Sequence, residues 1–208
     1  MISNYEQLPN GVIHQIKVNN QIRDYNQEYV NQSYNVYGEK VTQMSYLRLG
    51  YLLGVINTKP KSLLDVGYGN GSFIEACQNT IEYCYGNDIN SYPLPANAEF
   101  VTDITSHFYD VITFFDSLEH FIDIDIVGFL KCNYVMISVP CCHNFSDDWF
   151  LNWKHRRPDE HLWHFNEQSL TNFFTEHNYT LVSLSNIEDT IRKPIDDNTN
   201  ILTAIFKK

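Results

Sequence analysis

The rhythm of hydrophobic and polar positions changes twice along this chain. Residues 1–40 are polar and rich in Asn, Gln and Tyr, and Ile13 to Tyr25 alternates around Asn19-Asn20, which predicts a small hairpin turning at the two asparagines. Leu49, Leu52, Leu53 and Ile56 then fall at the i, i+3, i+4, i+7 spacing that lines one face of a helix, ended by Lys59-Pro60. From Ser62 onward, short apolar runs alternate with helical spacing. Ser62–Val66, Glu82–Gly86, Glu99–Thr102, Asp110–Phe115, Tyr134–Val139, Tyr179–Leu184 and Ile201–Phe206 read as seven strands. The runs DVITFF and YVMISV are apolar on both faces, as strands of a parallel sheet covered by helices must be. Ser72–Asn79 predicts a helix burying Phe73, Ile74 and Cys77; Asn166 is a fair N-cap for another carrying Leu170, Phe173 and Phe174 to a stop at Asn178. Between Cys141 and Phe165 no clean period survives, and a loop that long inside a compact domain is usually functional.

Composition narrows the partners. Against 25 Asp+Glu stand 14 Lys+Arg, a net charge of −11, which disfavours a long nucleic acid because phosphate binding is driven by a basic face. The five cysteines are odd in number, and Cys141 and Cys142 are adjacent, so no disulfide framework is expected. Adjacent cysteines also chelate one zinc ion poorly, and no metal is expected there. With no secretory signal at the start and no apolar run long enough to span a bilayer, a cytoplasmic chain is expected. The oligomeric state is not legible.

The chemistry begins at Leu63-Leu64-Asp65-Val66-Gly67-Tyr68-Gly69-Asn70-Gly71, an apolar strand running into alternate glycines and then a helix. Glycine permits positive φ and lets a ligand approach bare backbone, and at the carboxyl end of a parallel strand this makes a cofactor crevice. The spacing is G-x-G-x-G, not the G-x-G-x-x-G of a pyrophosphate site, and Asp65 before it would repel a pyrophosphate. Asp65 suits a cationic amino group, directly or through water. Asp88, ending the next strand, can accept both hydroxyls of a ribose. S-adenosylmethionine, with a sulfonium, an amino group, a ribose and no phosphate, fits both.

SLLDVGYGNGSF, then YGNDI, FVTDIT and DVITFFDSLEHF, in that order, resemble the class I S-adenosylmethionine-dependent methyltransferases. The Leu118-Glu119-His120 stretch is similar to small-molecule members such as the ubiquinone-biosynthesis O-methyltransferases. The resemblance implies a Rossmann-like α/β fold: a seven-stranded, mostly parallel sheet with an antiparallel last strand and helices on both faces. It implies that Asp65, Gly67, Tyr68, Gly69 and Gly71 hold the methionine portion, that Asp88 meets the ribose, and that Ile89 packs on the adenine. Asp103, with Ile104 beside it, matches the acidic position that meets the adenine amino group, and Asp116 and Ser117 the end of the fourth strand beside the reacting centre. For Asp103 and Asp116 the competing reading is a loop carboxylate that caps a helix. Of the residues before the first strand (Tyr29, Tyr34, Tyr37 and Arg48), Tyr37 and Arg48 are carried forward as cofactor contacts, with core burial as the alternative.

Methyl transfer needs positioning and, for some acceptors, a base. His120 follows the fourth strand; in the resembling O-methyltransferases this Glu-His stretch lies near the acceptor and in some members helps hold a metal. The 141–165 segment adds His143, His155, His161 and His164, with Trp153, Trp163, Arg156 and Arg157. His155, His161 or His164 could act as base; Arg156 and Arg157 could hold a carboxylate or phosphate, with His143, Trp153 and Trp163 as further acceptor contacts. Internal pairing of the arginines with Asp159 and Glu160 is the competing reading. The expected organisation is an N-terminal cap over 1–40 and a methyltransferase domain over 41–208 with a flap at 141–165. The expected function is methylation of a small molecule on oxygen, with S-adenosylhomocysteine as by-product; a nucleic-acid or nucleotide methyltransferase, or a catalytically silent binding protein, are the alternatives.

Overall fold

The computed structural model describes residues 2–18, 38–90, 92–194 and 197–208. Its centre is a seven-stranded sheet. In chain order its strands are β3 (Ser62–Val66), β4 (Tyr83–Asn87), β5 (Ala98–Phe100), β6 (Phe108–Phe115), β7 (Lys131–Pro140), β9 (Thr180–Ser185) and β10 (Ile201–Lys207). In space the order is β5-β4-β3-β6-β7-β10-β9. The first five strands run parallel, and β10 lies antiparallel between β7 and β9. This is the Rossmann-like arrangement expected, with the last strand reversed.

The pleat decides which residues go to which face, because successive side chains point to opposite sides. Leu63, Val111, Met136 and Ile205 pack on one side against Leu49, Leu52 and Ile56 of α1 (Glu39–Ile56) and Phe73, Ile74 and Cys77 of α2 (Ser72–Cys77). Their neighbours Leu64, Ile112, Val135, Ile137 and Phe206 pack on the other side. They meet Leu170, Phe173 and Phe174 of the helix Glu167–Glu176, where Phe174 stacks on Phe206 at 4.2 Å. Each fully buried side chain of this size contributes about 1.5–3 kcal/mol relative to exposure. Asn166 caps that helix, accepting from the Ser169 amide at 2.8 Å while Ser169 Oγ accepts from the Asn166 amide at 2.9 Å. Asn178 follows the helix with φ 67°.

Near the start of the chain a hairpin forms ahead of the one expected around Asn19-Asn20. Asn19 to Tyr25 lie outside the described residues, and the hairpin that is described turns earlier. β1 (Tyr5–Gln7) pairs antiparallel with β2 (Ile13–Gln15) around Asn10-Gly11, where φ is 89° at Gly11. β2 in turn pairs with β8 (Trp163–His164), so the front of the chain is stitched to the 141–165 segment. Gln15 fastens the join: its Nε2 donates to Asp159 Oδ1 at 2.6 Å and its Oε1 accepts from the Asp159 amide at 2.9 Å. The segment is therefore a docked layer with its own short helix α3 (Asp147–Asn152), and Glu167–Glu176 becomes α4. Among the described residues no helix is long and apolar enough to cross a membrane.

Candidate active site

The glycine turn, Asp65, Asp88, Asp116 and Ser117 gather at the carboxyl ends of β3, β4 and β6. The turn after β3 takes φ of 81° at Gly67, 54° at Gly69 and 75° at Gly71, a region that side chains with a Cβ resist. A Cβ on Gly67 would stand 2.6 Å from Ser117 Cβ, and one on Gly71 2.7 Å from Pro95 Cδ. The turn is tied to β4, since the Gly67 amide donates to the Asn87 carbonyl at 2.7 Å.

Asp65 and Asp88 end neighbouring strands, Asp65 pairing with Gly86 two residues before Asp88. Asp88 accepts from the Gly69 amide at 3.0 Å and, through its other oxygen, from the Asn90 amide at 3.0 Å. It thus holds the glycine turn open while remaining half-buried, and burial raises its pKa. Asp65 is 3% exposed and accepts from Thr113 Oγ1 at 2.7 Å. Burial pushes its carboxyl up to about 6 against the opposing Thr113 bond and the Arg48 charge. A dry carboxylate beside bare backbone is a fitting seat for a cationic group, as the aminoacyl end of S-adenosylmethionine carries.

The other expected cofactor residues divide. Ile89 is 78% exposed just beyond Asp88, an apolar side chain with nothing covering it. Tyr68, by contrast, turns inward: it is buried, and its hydroxyl donates to the Tyr92 carbonyl at 2.6 Å, so its ring supports the turn from below. Ile104 is also core, packed against the β6 side of the sheet. Asp103 is exposed and accepts from the Thr105 amide and hydroxyl, which lower its pKa, the local capping that was the competing reading. Ser117 is buried and donates to the Val66 carbonyl at 2.7 Å, fastening the end of β6 to the end of β3. Tyr29, Tyr34 and Tyr37 lie outside the described residues.

Arg48 is spent on a partner 140 residues further along the chain. Its Nε and Nη2 donate to the two oxygens of Glu188 at 2.7 and 2.9 Å, and its guanidinium lies 4.1 Å over the Phe115 ring. Glu188 is fully buried and also accepts from Ser138 Oγ at 2.6 Å. Arg192 bridges from Glu188 at 3.2 Å to both oxygens of Asp116 at 2.9 and 2.6 Å. Asp116 sits at φ 50°, a strained value for a residue with a Cβ, and the two arginines hold its carboxyl well below the usual range despite burial. The i,i+4 spacing of Glu188 and Arg192 was a readable signal, but their partners lie 140 and 76 residues away.

The expected acceptor residues split into two groups. His155 and His164 belong to the inside of the flap. His155 donates from Nε2 to Asn200 Oδ1 at 2.9 Å, and His164, 2% exposed, is walled by Tyr5, Phe150 and Trp153. Burial drives His155 down to about 4 and His164 to about 3, so both are neutral and weakly basic at pH 7. Trp153 stacks on Trp149 at 5.3 Å, Trp163 stacks on His14 at 3.9 Å, and Trp163 Nε1 donates to the Phe121 carbonyl. Arg157 pairs with Glu160 at 3.0 Å, as the competing reading had it. Arg156 lies over Tyr5, and His143 donates to the Thr199 carbonyl at 2.6 Å.

His120 and His161 form the second group. Their rings meet edge to face at 4.7 Å, directly after the end of β6. His120 Nδ1 donates to the Glu160 carbonyl at 2.8 Å, which leaves Nε2 as the basic nitrogen of the neutral ring. Burial lowers both pKa values, His161 to about 2. Between them lies Glu119, 1% exposed, which the sequence reading had only as part of a motif.

Comparison with known proteins agrees with this fold. The family described as a methyltransferase domain matches residues 43–184. No curated protein matches the sequence significantly. Among solved structures, magnesium protoporphyrin IX methyltransferase from Synechocystis PCC 6803, with bound S-adenosylhomocysteine, is similar at TM-score 0.60 and 14% identity, over 90% of this chain and 98% of that one. The 1,6-didemethyltoxoflavin-N1-methyltransferase of Burkholderia thailandensis, also with S-adenosylhomocysteine, is similar at 0.59 and 13% identity, over 99% of each chain. The plantazolicin methyltransferase BpumL is similar at 0.58 and 16% identity, over 89% of this chain and 92% of that one. With its glycine turn flanked by two acids and its family match spanning most of the sheet, the chain belongs to the methyltransferase domain family and is an S-adenosylmethionine-dependent enzyme.

Proposed function

We propose that this enzyme methylates a hydroxyl oxygen of a small molecule. The observation that carries the cofactor half is the pair of acids, Asp65 and Asp88, at the ends of neighbouring strands beside three glycines of positive φ. In this reading the turn and Asp65 receive the aminoacyl end, Asp88 receives the ribose, and Ile89 packs on the base. Bound there, S-adenosylmethionine supplies an electrophilic methyl on a sulfonium. Asp116 and Ser117 fix the end of β6 beside it. The acceptor would enter under the 141–165 segment toward His120 and His161.

Small-molecule acceptors are favoured by the charge of −11 and by the size of the segment that roofs the site. They are also the acceptors named for similar structures: a magnesium porphyrin, a toxoflavin precursor and a plantazolicin analogue. The likeness of the Glu119-His120 stretch to the ubiquinone-biosynthesis enzymes favours oxygen. Calorimetry with S-adenosylhomocysteine tests the cofactor half. Asp88→Ala should weaken binding about 100-fold, as loss of charge-assisted hydrogen bonds implies; unchanged affinity overturns the ribose assignment. Formation of S-adenosylhomocysteine with a panel of phenols and alcohols, but not with amines, tests the acceptor half.

A further inference from the structure

Two elements converge on the end of β6, and each sends an arginine to it. α1 supplies Arg48 and the segment after the turn at Ile187–Thr190 supplies Arg192; they reach Asp116 at 3.5 and 2.6 Å. Between the same two elements lies a cavity of about 500 Å³, lined by Lys40, Gln43, Thr190, Ile191 and Lys193. That volume is within the range of small-molecule sites. The cations on its walls differ in how they are used. Arg48 and Arg192 are neutralised by Glu188 and Asp116. Lys40 and Lys193, one from each wall, have no acidic partner among the described residues. In a chain with 25 Asp+Glu against 14 Lys+Arg, two such lysines on one cavity suit an anion. α1 also begins there, and Gly38 gives its first amides no side-chain cap, so the positive end of the helix dipole adds to the two ammonium groups. Ile191 supplies an apolar wall and Gln43 an amide.

The cavity also stands at the right distance from the chemistry. Lys40 precedes Arg48 by eight residues, about 12 Å along the helix axis. On the other wall, Asn200 donates from Nδ2 to the Arg192 carbonyl at 2.8 Å and accepts from His155 Nε2 at 2.9 Å, which joins this wall to the 141–165 segment. We infer that the cavity holds an acidic group, a carboxylate or a phosphate, at the far end of the methyl acceptor, gripped by Lys40 and Lys193. The inference rests on the methyltransferase reading above: with the reacting hydroxyl beside Asp116, a distal anion about 12 Å away meets both ammonium groups. Lysine suits this task, since its ammonium is a point charge on a flexible stem that can follow either anion, whereas both arginines are fixed on acids. The acceptor is thereby narrowed to an anionic molecule, which a chain of charge −11 repels everywhere except at such a place.

The test titrates the full chain, saturated with S-adenosylhomocysteine, with 4-hydroxyphenylacetate, phenyl phosphate and the neutral 4-hydroxyphenylacetamide in a calorimeter. At least one acid should bind at least about 10-fold more tightly than the amide, as a charge-assisted contact implies, and added salt should shrink the preference. Whichever acid leads tells a carboxylate from a phosphate. Lys40→Met and Lys193→Met should each reduce the preference and together abolish it. Lys61→Met, just before β3, should leave it unchanged. No preference for either acid, or one that survives the double replacement, overturns the anion site. S-adenosylhomocysteine affinity of the double variant should match that of the wild type, which shows that it is folded. Lysine-dependent acid binding by a chain that did not bind S-adenosylhomocysteine would sink the cofactor reading and leave the anion site standing; cofactor binding without acid preference does the reverse.

Discussion

At the scale of single residues, Asp65 carries the sharpest consequence. Its folded pKa, about 6, lies above the ordinary 3.8. A raised folded pKa means the protonated form is the one the fold favours. Its contribution to stability is therefore complete below about pH 4 and is lost as pH climbs through about 6. The whole loss is about 3 kcal/mol by linkage. Asp65→Asn keeps an oxygen for Thr113 and removes the charge. Urea unfolding should show wild type and variant equally stable at pH 4, with the variant ahead by up to about 3 kcal/mol at pH 7. A gap that did not grow with pH would show that Asp65 is not desolvated. The same carboxylate, stabilised by a cation, should release part of a proton when S-adenosylhomocysteine binds at pH 6 and none at pH 8, readable by calorimetry in buffers of different ionisation enthalpy. Gly67 makes a second case. Gly67→Ala adds a Cβ at φ 81° that meets Ser117 Cβ at 2.6 Å. Ser117→Gly in the same chain should relieve the clash but neither the backbone strain, about 1–3 kcal/mol, nor the loss of the Ser117–Val66 hydrogen bond, as read by thermal unfolding.

At the scale of elements, the sheet was legible because its middle strands are apolar on both faces, and runs such as DVITFF in β6 leave little room for another reading. β5 was placed late and too long, since an edge strand of three residues with two exposed carries almost no hydrophobic signal. The first half of α1 was missed for a related reason: before Leu49 it buries only Met44 and Ser45. What no local pattern could give is pairing across the chain, and the Arg48–Glu188–Arg192–Asp116 network shows why. Each member alone reads as a solvated charge; together they hold the strained end of β6 against α1 and the turn at Ile187–Thr190. Glu188→Ala leaves Arg48 buried without its main partner, and breaking such a pair costs about 3–5 kcal/mol. A drop in urea stability of that size, with weaker S-adenosylhomocysteine binding through displacement of Asp116, is the expected result. Loss of less than 1 kcal/mol would mean that water takes over the glutamate's role.

At the scale of the whole molecule, the N-terminal hairpin and the flap are one unit, and in the proposed function this unit governs how the acceptor is reached. Gln15, 3% exposed, exchanges two hydrogen bonds with Asp159, and β2 pairs with β8. The flap is thus fixed from a segment remote in sequence, which explains why its histidines divided as they did: His164, beside the hairpin's Tyr5, is packed, while His161 meets His120 after the end of β6. Gln15→Ala should loosen this layer without touching the cofactor turn. KM for the acceptor should rise several-fold while S-adenosylhomocysteine affinity stays within twofold. A net charge of −11 then acts on what can approach. Non-specific binding of nucleic acid by proteins with a basic face falls at about 10⁻⁴–10⁻⁶ M at physiological salt, driven by counterion release. This chain lacks the cations for it, so a fluorescent 20-nucleotide RNA should show no binding tighter than about 10⁻⁴ M even at 50 mM salt, where such contacts are strongest. Affinity in the micromolar range that weakens steeply with added salt would reverse the choice of acceptor, because only a concentrated basic surface on an acidic molecule could produce it.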